Sequence, residues 1–344
     1  MNLFDQHIEK AHPPFIIAEM SGNHNQSMDR AKEIIKAAAS TGVQAVKFQT
    51  YTPDTITIDH RGGSFDITDP KSLWFGKNLY ELYGEAYTPW EWHAELYTFA
   101  RSLGLIPFST PFDETAVDFL ETLDNPIYKI ASFENNHHPL LKKIAQTGKP
   151  VIMSTGISTI LDIEESVQVL KDNGCKDICL LKCTSTYPAT PENTNLNTIP
   201  VLQKVFPDCT IGLSDHTLGI GVSIASVALG ARVIEKHFTL RRADGGVDST
   251  FSMEPEEMKV LVVECERAYQ GLGHIQLGVQ PAEAKSIIFK RSIYVVKDIA
   301  DGEKFTTENI RVIRPGDGMH PRYYEHMIGT KALRNYKRGE PFNK

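Results

Sequence analysis

The sequence predicts an α/β chain: a (β/α)8 barrel of the TIM type, followed by a small turn-rich C-terminal module. Three observations predict it. Continuous apolar runs of four or five residues recur along the chain and each passes into polar residues, the pattern of strands buried on both faces of a parallel sheet. Stretches of helical periodicity separate nearly every pair of runs. Eight such units in about 240 residues suit a closed barrel, and no Gly-x-Gly-x-x-Gly follows the first run, which disfavours an open dinucleotide-binding sheet.

The elements follow in order. Phe15-Ile16-Ile17-Ala18 is the first strand, ending at Glu19, and residues 27–40 form a helix with Ile34, Ile35 and Ala38 on one face, closed by Thr41-Gly42. Ala45-Val46-Lys47-Phe48-Gln49 is the second strand. Residues 51–87 interrupt the rhythm with a polar, Gly-rich insertion of the length used for lids or packed surface loops. Thr88-Pro89-Trp90-Glu91 reads as a helix start, with Thr88 as the cap and Pro89 in the first turn. Strands then begin at Leu105, Ile127, Pro150 and Ile178, with helices near 113–123, 138–147, 159–173 and 197–206. The last two strands end in Ser214-Asp215-His216 and in Glu235-Lys236-His237, one helix apart. An amphipathic helix over 254–272 completes a barrel domain spanning 1–272, residues 273–290 read as a linker, and 291–344 as a compact module with few apolar anchors.

Composition removes several classes of function. In 344 residues, 41% apolar and 23% charged content is that of a globular chain, and a net charge of −7 argues against a nucleic-acid surface or attraction to a membrane. No apolar run approaches the roughly 20 residues needed to span a bilayer. The segment MNLFDQHIEK has neither the basic nor the apolar region of a signal peptide, so the expected location is the cytoplasm. Five cysteines without a Cys-x-x-Cys pair read as free, mostly buried thiols.

In a barrel of this type, chemistry sits at the carboxyl ends of the strands. Those ends carry Glu19, Lys47, Gln49, Ser109, Thr110, Lys129, Ser132, Glu134, Ser154, Thr155, Lys182, Thr184, Ser214, Asp215, His216, Lys236 and His237. Lysines with hydroxyls make a seat for a multiply charged oxyanion, most simply a phosphate. His216 and His237, side by side, could hold a divalent metal with positions left for substrate and water. Glu19 and Glu134 are candidates for acid–base work or for binding sugar hydroxyls. The competing reading is a ring of ion pairs that only closes the barrel top. The residues alone point to a metal-assisted enzyme acting on a phosphorylated small molecule at a carbonyl.

The ordered motifs Ile17-Ala18-Glu19, Asn23-His24-Asn25, Lys47-Phe48-Gln49-Thr50, Ser109-Thr110-Pro111-Phe112, Tyr128-Lys129-Ile130-Ala131-Ser132, Ser154-Thr155-Gly156, Lys182-Cys183-Thr184-Ser185-Thr186-Tyr187-Pro188, Gly212-Leu213-Ser214-Asp215-His216 and Glu235-Lys236-His237-Phe238 resemble the sialic acid synthase family. The tail from Arg291, with Ile313-Arg314-Pro315-Gly316, resembles that family's antifreeze-like (SAF) domain, so the resemblance covers nearly the whole chain. Glu19-Met20-Ser21-Gly22-Asn23-His24-Asn25, Leu79-Tyr80-Glu81-Leu82-Tyr83, Thr88-Pro89-Trp90-Glu91-Trp92-His93 and Ala131-Ser132-Phe133-Glu134 resemble its pseudaminic acid branch.

The resemblance implies a transferase that condenses phosphoenolpyruvate with an N-acetylated amino sugar and releases phosphate. In the pseudaminic branch that sugar is 2,4-diacetamido-2,4,6-trideoxy-L-altrose, and the product usually enters a surface glycan. It implies Mn2+ or Mg2+ on His216 and His237, and phosphoenolpyruvate on Lys47, Lys129, Ser132, Ser154 and Ser214 with Thr110. It implies that Glu19, Gln49, Glu134, Tyr187 and Asp248 face the open-chain sugar. Arg314 would arrive from the C-terminal domain of a partner subunit in a domain-swapped homodimer. A synthase making N-acetylneuraminic or legionaminic acid by the same chemistry is the alternative. Sequence leaves open whether Glu19 or Glu134 moves the proton.

Overall fold

The computed structural model describes residues 13–343; the N-terminal segment read above for a leader lies outside them. The chain divides into two compact units, Met1–Gly273 and His274–Lys344.

The first unit is a closed parallel barrel of eight strands in sequence order. They are β1 (Phe15–Glu19), β2 (Ala45–Thr50), β3 (Ile106–Pro111), β4 (Tyr128–Ile130), β5 (Val151–Ser154), β6 (Ile178–Cys183), β7 (Thr210–Ser214) and β8 (Val233–His237). β1 pairs with both β2 and β8 and closes the ring, with Glu19 in register between Lys47 and His237. Helices sit where the periodicity places them: Ser27 caps Met28–Thr41 by accepting from the Arg30 N–H at 3.3 Å, and Gly42, at φ 89°, closes it in the left-handed region. The Thr88 start differs. Helix Trp90–Ser102 has no side-chain cap, because the Thr88 hydroxyl lies 3.1 Å from His24 Nε2 instead.

Strand residues alternate between two cores. Phe15, Ile17, Ala45, Phe108, Ile152, Leu181 and Val233 fill the barrel interior. Their neighbours Ile16, Val46, Met153, Leu180 and Ile234 pack outward with Ile34, Ile35, Leu141 and Leu170 of the helices. Continuing the inward set up each strand reaches Glu19, Lys47, Gln49, Thr110, Lys129, Ser154, Cys183, Ser214, Glu235 and His237. The outward set holds Ser109, Lys182, Asp215 and Lys236. These four strand-end residues therefore do not belong to the site. Lys236 Nζ is buried against Asp215 Oδ2 at 3.0 Å and donates to the Thr217 and Gly219 carbonyls, while Ser109 Oγ bonds Thr50 Oγ1 at 2.6 Å.

The insertion is a folded lobe rather than a loose loop. It contains short helical turns at Pro53–Ile56 and Gly63–Phe65 and the helix Leu79–Ala86. The buried Asn78 organises it: its amide donates to the His60 and Phe65 carbonyls (2.7 and 3.1 Å) and to Asp66 (2.9 Å), and its oxygen caps the helix at Tyr80 N (2.9 Å). Gln26 donates to the Glu85 and Tyr87 carbonyls, and the Gly22 backbone fits so closely over Ala86 that a Cβ there would stand 3.1 Å from its backbone.

In the second unit, residues read as linker include a 3-10 helix, Pro281–Phe289. Beyond it an antiparallel pair, β9 (Ser292–Val295) and β10 (Ile310–Ile313), frames a core of Ile293, Val295, Ile299, Phe305, Ile310 and Phe342. That core is larger than the sparse apolar pattern predicts, because its members come from turns as well as strands. The five cysteines are free, four of them buried. Among the described residues no helix is long and apolar enough to cross a membrane.

Candidate active site

A cavity of about 540 Å³ opens at the carboxyl ends of the barrel strands. Glu19, Lys47, Gln49, Thr110, Lys129, Ser132, Glu134, Ser154, Tyr187, Ser214, His216, His237 and Asp248 line it; Thr155 and Thr184, also read from the strand ends, do not, their hydroxyls donating instead to the Leu181 and Asn193 carbonyls. Arg314 belongs to the second unit, where it is exposed and precedes Pro315 in a cis peptide.

The floor is an alternating charge cluster. Lys47 Nζ lies 2.8 Å from Glu19 Oε2 and 3.1 Å from Glu235 Oε2, and Lys129 Nζ lies 3.9 Å from Glu235 Oε1. Lys129 also donates to Ser154 Oγ at 2.7 Å, and Ser214 Oγ donates to Glu235 Oε1 at 3.1 Å. The Thr110 hydroxyl is buried with no hydrogen-bond partner, a polar group left for a ligand. Burial works against charge at Lys47, but Glu19 and Glu235 override it and hold the ammonium above its usual pKa. At Lys129 burial prevails over Glu235 and lowers it.

The carboxylates separate by environment. Burial alone would push Glu19 up, yet Lys47 and His237 beside it hold it well below the usual carboxylate range, and Gln49 donates to it at 3.0 Å. Glu134 has no such partner. Its Oε2 is buried and unbonded, and burial pushes its carboxyl up to about 7 against the pull of Lys129. Asp248 is also raised by burial, against His237. It is held by the hydroxyl of Ser21, whose backbone adopts φ 47°, uncommon for a residue with a Cβ.

The imidazoles of His216 and His237 stand 5.3 Å apart, centroid to centroid. His216 Nδ1 lies 3.0 Å from the Thr184 carbonyl, so Nδ1 carries a proton. Burial works against charge on this ring, but Cys183 and the Thr184 carbonyl override it and raise its pKa; in the neutral form Nε2 is the nitrogen open to a metal. His237 has Glu19 3.5 Å from Nε2 and Asp248 3.8 Å from Nδ1, and burial keeps it toward the neutral form. Tyr187 packs on His216 at 4.5 Å. Among the described residues no three His, Cys, Asp or Glu side chains form a complete metal site. The donor set fits an ion held by two imidazoles, with other positions open. Charge balance supports that fit: two ammoniums against Glu19 and Glu235 leave no excess positive charge for an anionic substrate.

Sequence reasoning missed Glu235 and the apolar side of the cavity. Glu235 was legible, since it lies two residues before His237 on one strand and shares its face.

The NeuB family model matches residues 34–276, and the SAF domain model matches 290–344. The chain belongs to the NeuB family. Two relatives, the pseudaminic acid synthases of Campylobacter jejuni and Helicobacter pylori, are each 42% identical to it; the alignments cover 95% and 96% of this chain and 94% and 97% of theirs. Among solved structures it is similar to an N-acetylneuraminic acid synthetase of Leptospira borgpetersenii in complex with citrate, with a TM-score of 0.70 at 32% identity, over 80% of this chain and 90% of that one. Within this NeuB chain the cavity sits at the strand ends where a barrel enzyme carries its chemistry.

Proposed function

We propose that the protein is a transferase that condenses phosphoenolpyruvate with 2,4-diacetamido-2,4,6-trideoxy-L-altrose and water to give pseudaminic acid and phosphate. One observation carries the reading: buried lysines, hydroxyls and two imidazoles share one cavity, in a chain 42% identical over 95% of its length to a pseudaminic acid synthase.

Lys129, Ser132, Ser154, Ser214 and Thr110 seat the phosphate, and Lys47 answers the carboxylate. Gln49, Tyr187 and Asp248 face the sugar, joined by Arg314 from the partner in a domain-swapped homodimer. His216 and His237 would hold a divalent ion, Mn2+ or Mg2+, which when bound would supply Lewis-acid polarisation of the sugar aldehyde. C3 of phosphoenolpyruvate bonds to the aldehyde carbon, water adds at C2, and the C2–O bond to phosphate then breaks. The lysines offset charge on the phosphate without moving during the reaction. The two carboxylates divide the remaining work by their pKa values. Glu19, locked ionised on Lys47 and Gln49, orients and balances charge. Glu134, poised near neutrality, gives a proton to the aldehyde oxygen or takes one from the attacking water.

The alternative, an N-acetylneuraminic or legionaminic acid synthase, would use the same floor, so turnover of the sugar discriminates. The test is phosphate release from phosphoenolpyruvate and Mn2+ with the altrose sugar or with N-acetylmannosamine, each with and without EDTA. EDTA-sensitive release with the altrose sugar is expected. Release only with N-acetylmannosamine would overturn the choice of sugar, and release unaffected by EDTA would overturn the metal assignment.

A further inference from the structure

The cavity has two chemically distinct sides. Its floor is the charge cluster described above; its other side comes from the insertion and is mainly apolar, with the phenols of Tyr51 and Tyr83 its polar groups, near Asp248 and Glu134. Ile56, Ile67, Trp74, Leu79 and Leu82 all line the cavity, and none places a charge there. They reach it from four parts of the lobe: the turn Pro53–Ile56, the segment around Ile67, the turn that carries Trp74, and helix Leu79–Ala86.

This side is held in place. Ile67 exchanges backbone bonds with Lys77 and Gly76, at 2.9 Å each. Trp74 Nε1 donates to the Val247 carbonyl at 3.1 Å, one residue before Asp248, and its ring lies 5.9 Å from Tyr187. Tyr51 anchors the inner edge against Tyr83 and Phe112. Glu134 and Asp248 share the cavity with this wall, and the insertion groups beside them are Tyr83 and Tyr51, while Ile56, Ile67, Leu79 and Leu82 offer no polar atom of a side chain.

We infer that this wall is an acceptor-specificity subsite, selecting sugars whose carbons beyond the reacting aldehyde end in methyl and acyl groups rather than free hydroxyls. The inference rests on the condensing reaction proposed above and adds which residues choose the acceptor. A hydroxyl pressed against Ile67 and Leu79 would lose its water and find no hydrogen-bond partner among them, whereas a methyl group there gains contact. Discrimination of this kind amounts to roughly 10- to 200-fold per group.

The test compares wild type with Ile67→Thr and Leu79→Gln, both at half-buried positions away from the charged floor. Initial rates of phosphate release are measured with the 6-deoxy diacetamido sugar and with N-acetylmannosamine, which has a hydroxylated end. The wild type is expected to favour the deoxy sugar, and each variant to lower that preference by about 10-fold or more, through KM for the sugar, with KM for phosphoenolpyruvate unmoved. Equal loss on both sugars, or no loss on either, overturns the subsite while leaving the reaction standing. A wild type that favours N-acetylmannosamine overturns both the choice of sugar and the subsite. If neither sugar turns over, the reaction reading falls, and saturation-transfer NMR with the deoxy sugar decides the subsite. Strong transfer to the C6 methyl that drops in Ile67→Thr supports it; weak transfer in wild type sinks it.

Discussion

Replacing Glu134 by glutamine should stabilise the protein while disabling it. Burial raises this carboxyl from 4.5 to about 7 in the folded chain, so the folded state holds the proton more tightly than the unfolded state does. The stability this gives is fully present below about pH 4.5 and is lost as pH rises through about 7. Ionised at pH 8, the side chain weakens the fold by about 3 kcal/mol relative to its protonated form. The amide of Glu134→Gln keeps the shape without the charge. The variant should match wild type near pH 4.5 and melt about 5 °C higher at pH 8, in thermal scans without substrate or metal. Its kcat/KM should fall by about 10²- to 10⁴-fold, and the inflection near pH 7 in the wild-type profile should vanish. A melting difference that does not change with pH would refute the environment assigned to Glu134. Full activity in the variant would refute its role.

Three other substitutions test separate parts of the site. His237→Gln should abolish Mn2+ binding, read by titration calorimetry, and lower phosphate release by about 10²-fold or more if an ion there polarises the aldehyde. Lys236→Met should strand the buried Asp215 carboxylate and destabilise the fold by about 3 kcal/mol in denaturant titrations; the KM for phosphoenolpyruvate should not change, because the side chain points out of the barrel. Asn78→Ala removes the side chain that ties the insertion together, a loss of about 2 kcal/mol. It should speed limited proteolysis within 57–66 and raise KM for the sugar more than KM for phosphoenolpyruvate.

The contrast between Lys236 and Lys129 explains how far the site could be read from sequence. The strands, their order and the rim they present follow from continuous apolar runs, so the barrel and its polar edge were legible. A list of polar strand ends, however, mixes two faces. Lys129 and Lys236 each stand near the end of a strand, but Lys129 lies two residues beyond the inward Ile127, and Lys236 lies two beyond the outward Ile234. Only the first shares the cavity with Ser154. The period-2 rule applied from Phe15, Ile17 and Glu19 onward would have separated them, and would have added Glu235 through His237.

The apolar wall was hidden for a different reason. Ile56, Ile67, Trp74 and Leu79 follow no helical or strand period, because a lobe of short turns is positioned by polar staples rather than by an amphipathic face. Asn78 and Gln26 do that positioning, and neither a buried amide that binds loop carbonyls nor the loop it binds has a sequence signature. A polar, Gly-rich composition therefore concealed an apolar surface: the polar residues fold the insertion, while Ile56, Ile67, Trp74, Leu79 and Leu82 line the cavity and Ile58, Leu73 and Phe75 stay exposed. The floor holds the groups that the proposed condensation needs for phosphoenolpyruvate and the ion, whichever sugar accepts. The insertion is where a change of acceptor can be made without disturbing Lys47, Lys129, His216 or His237.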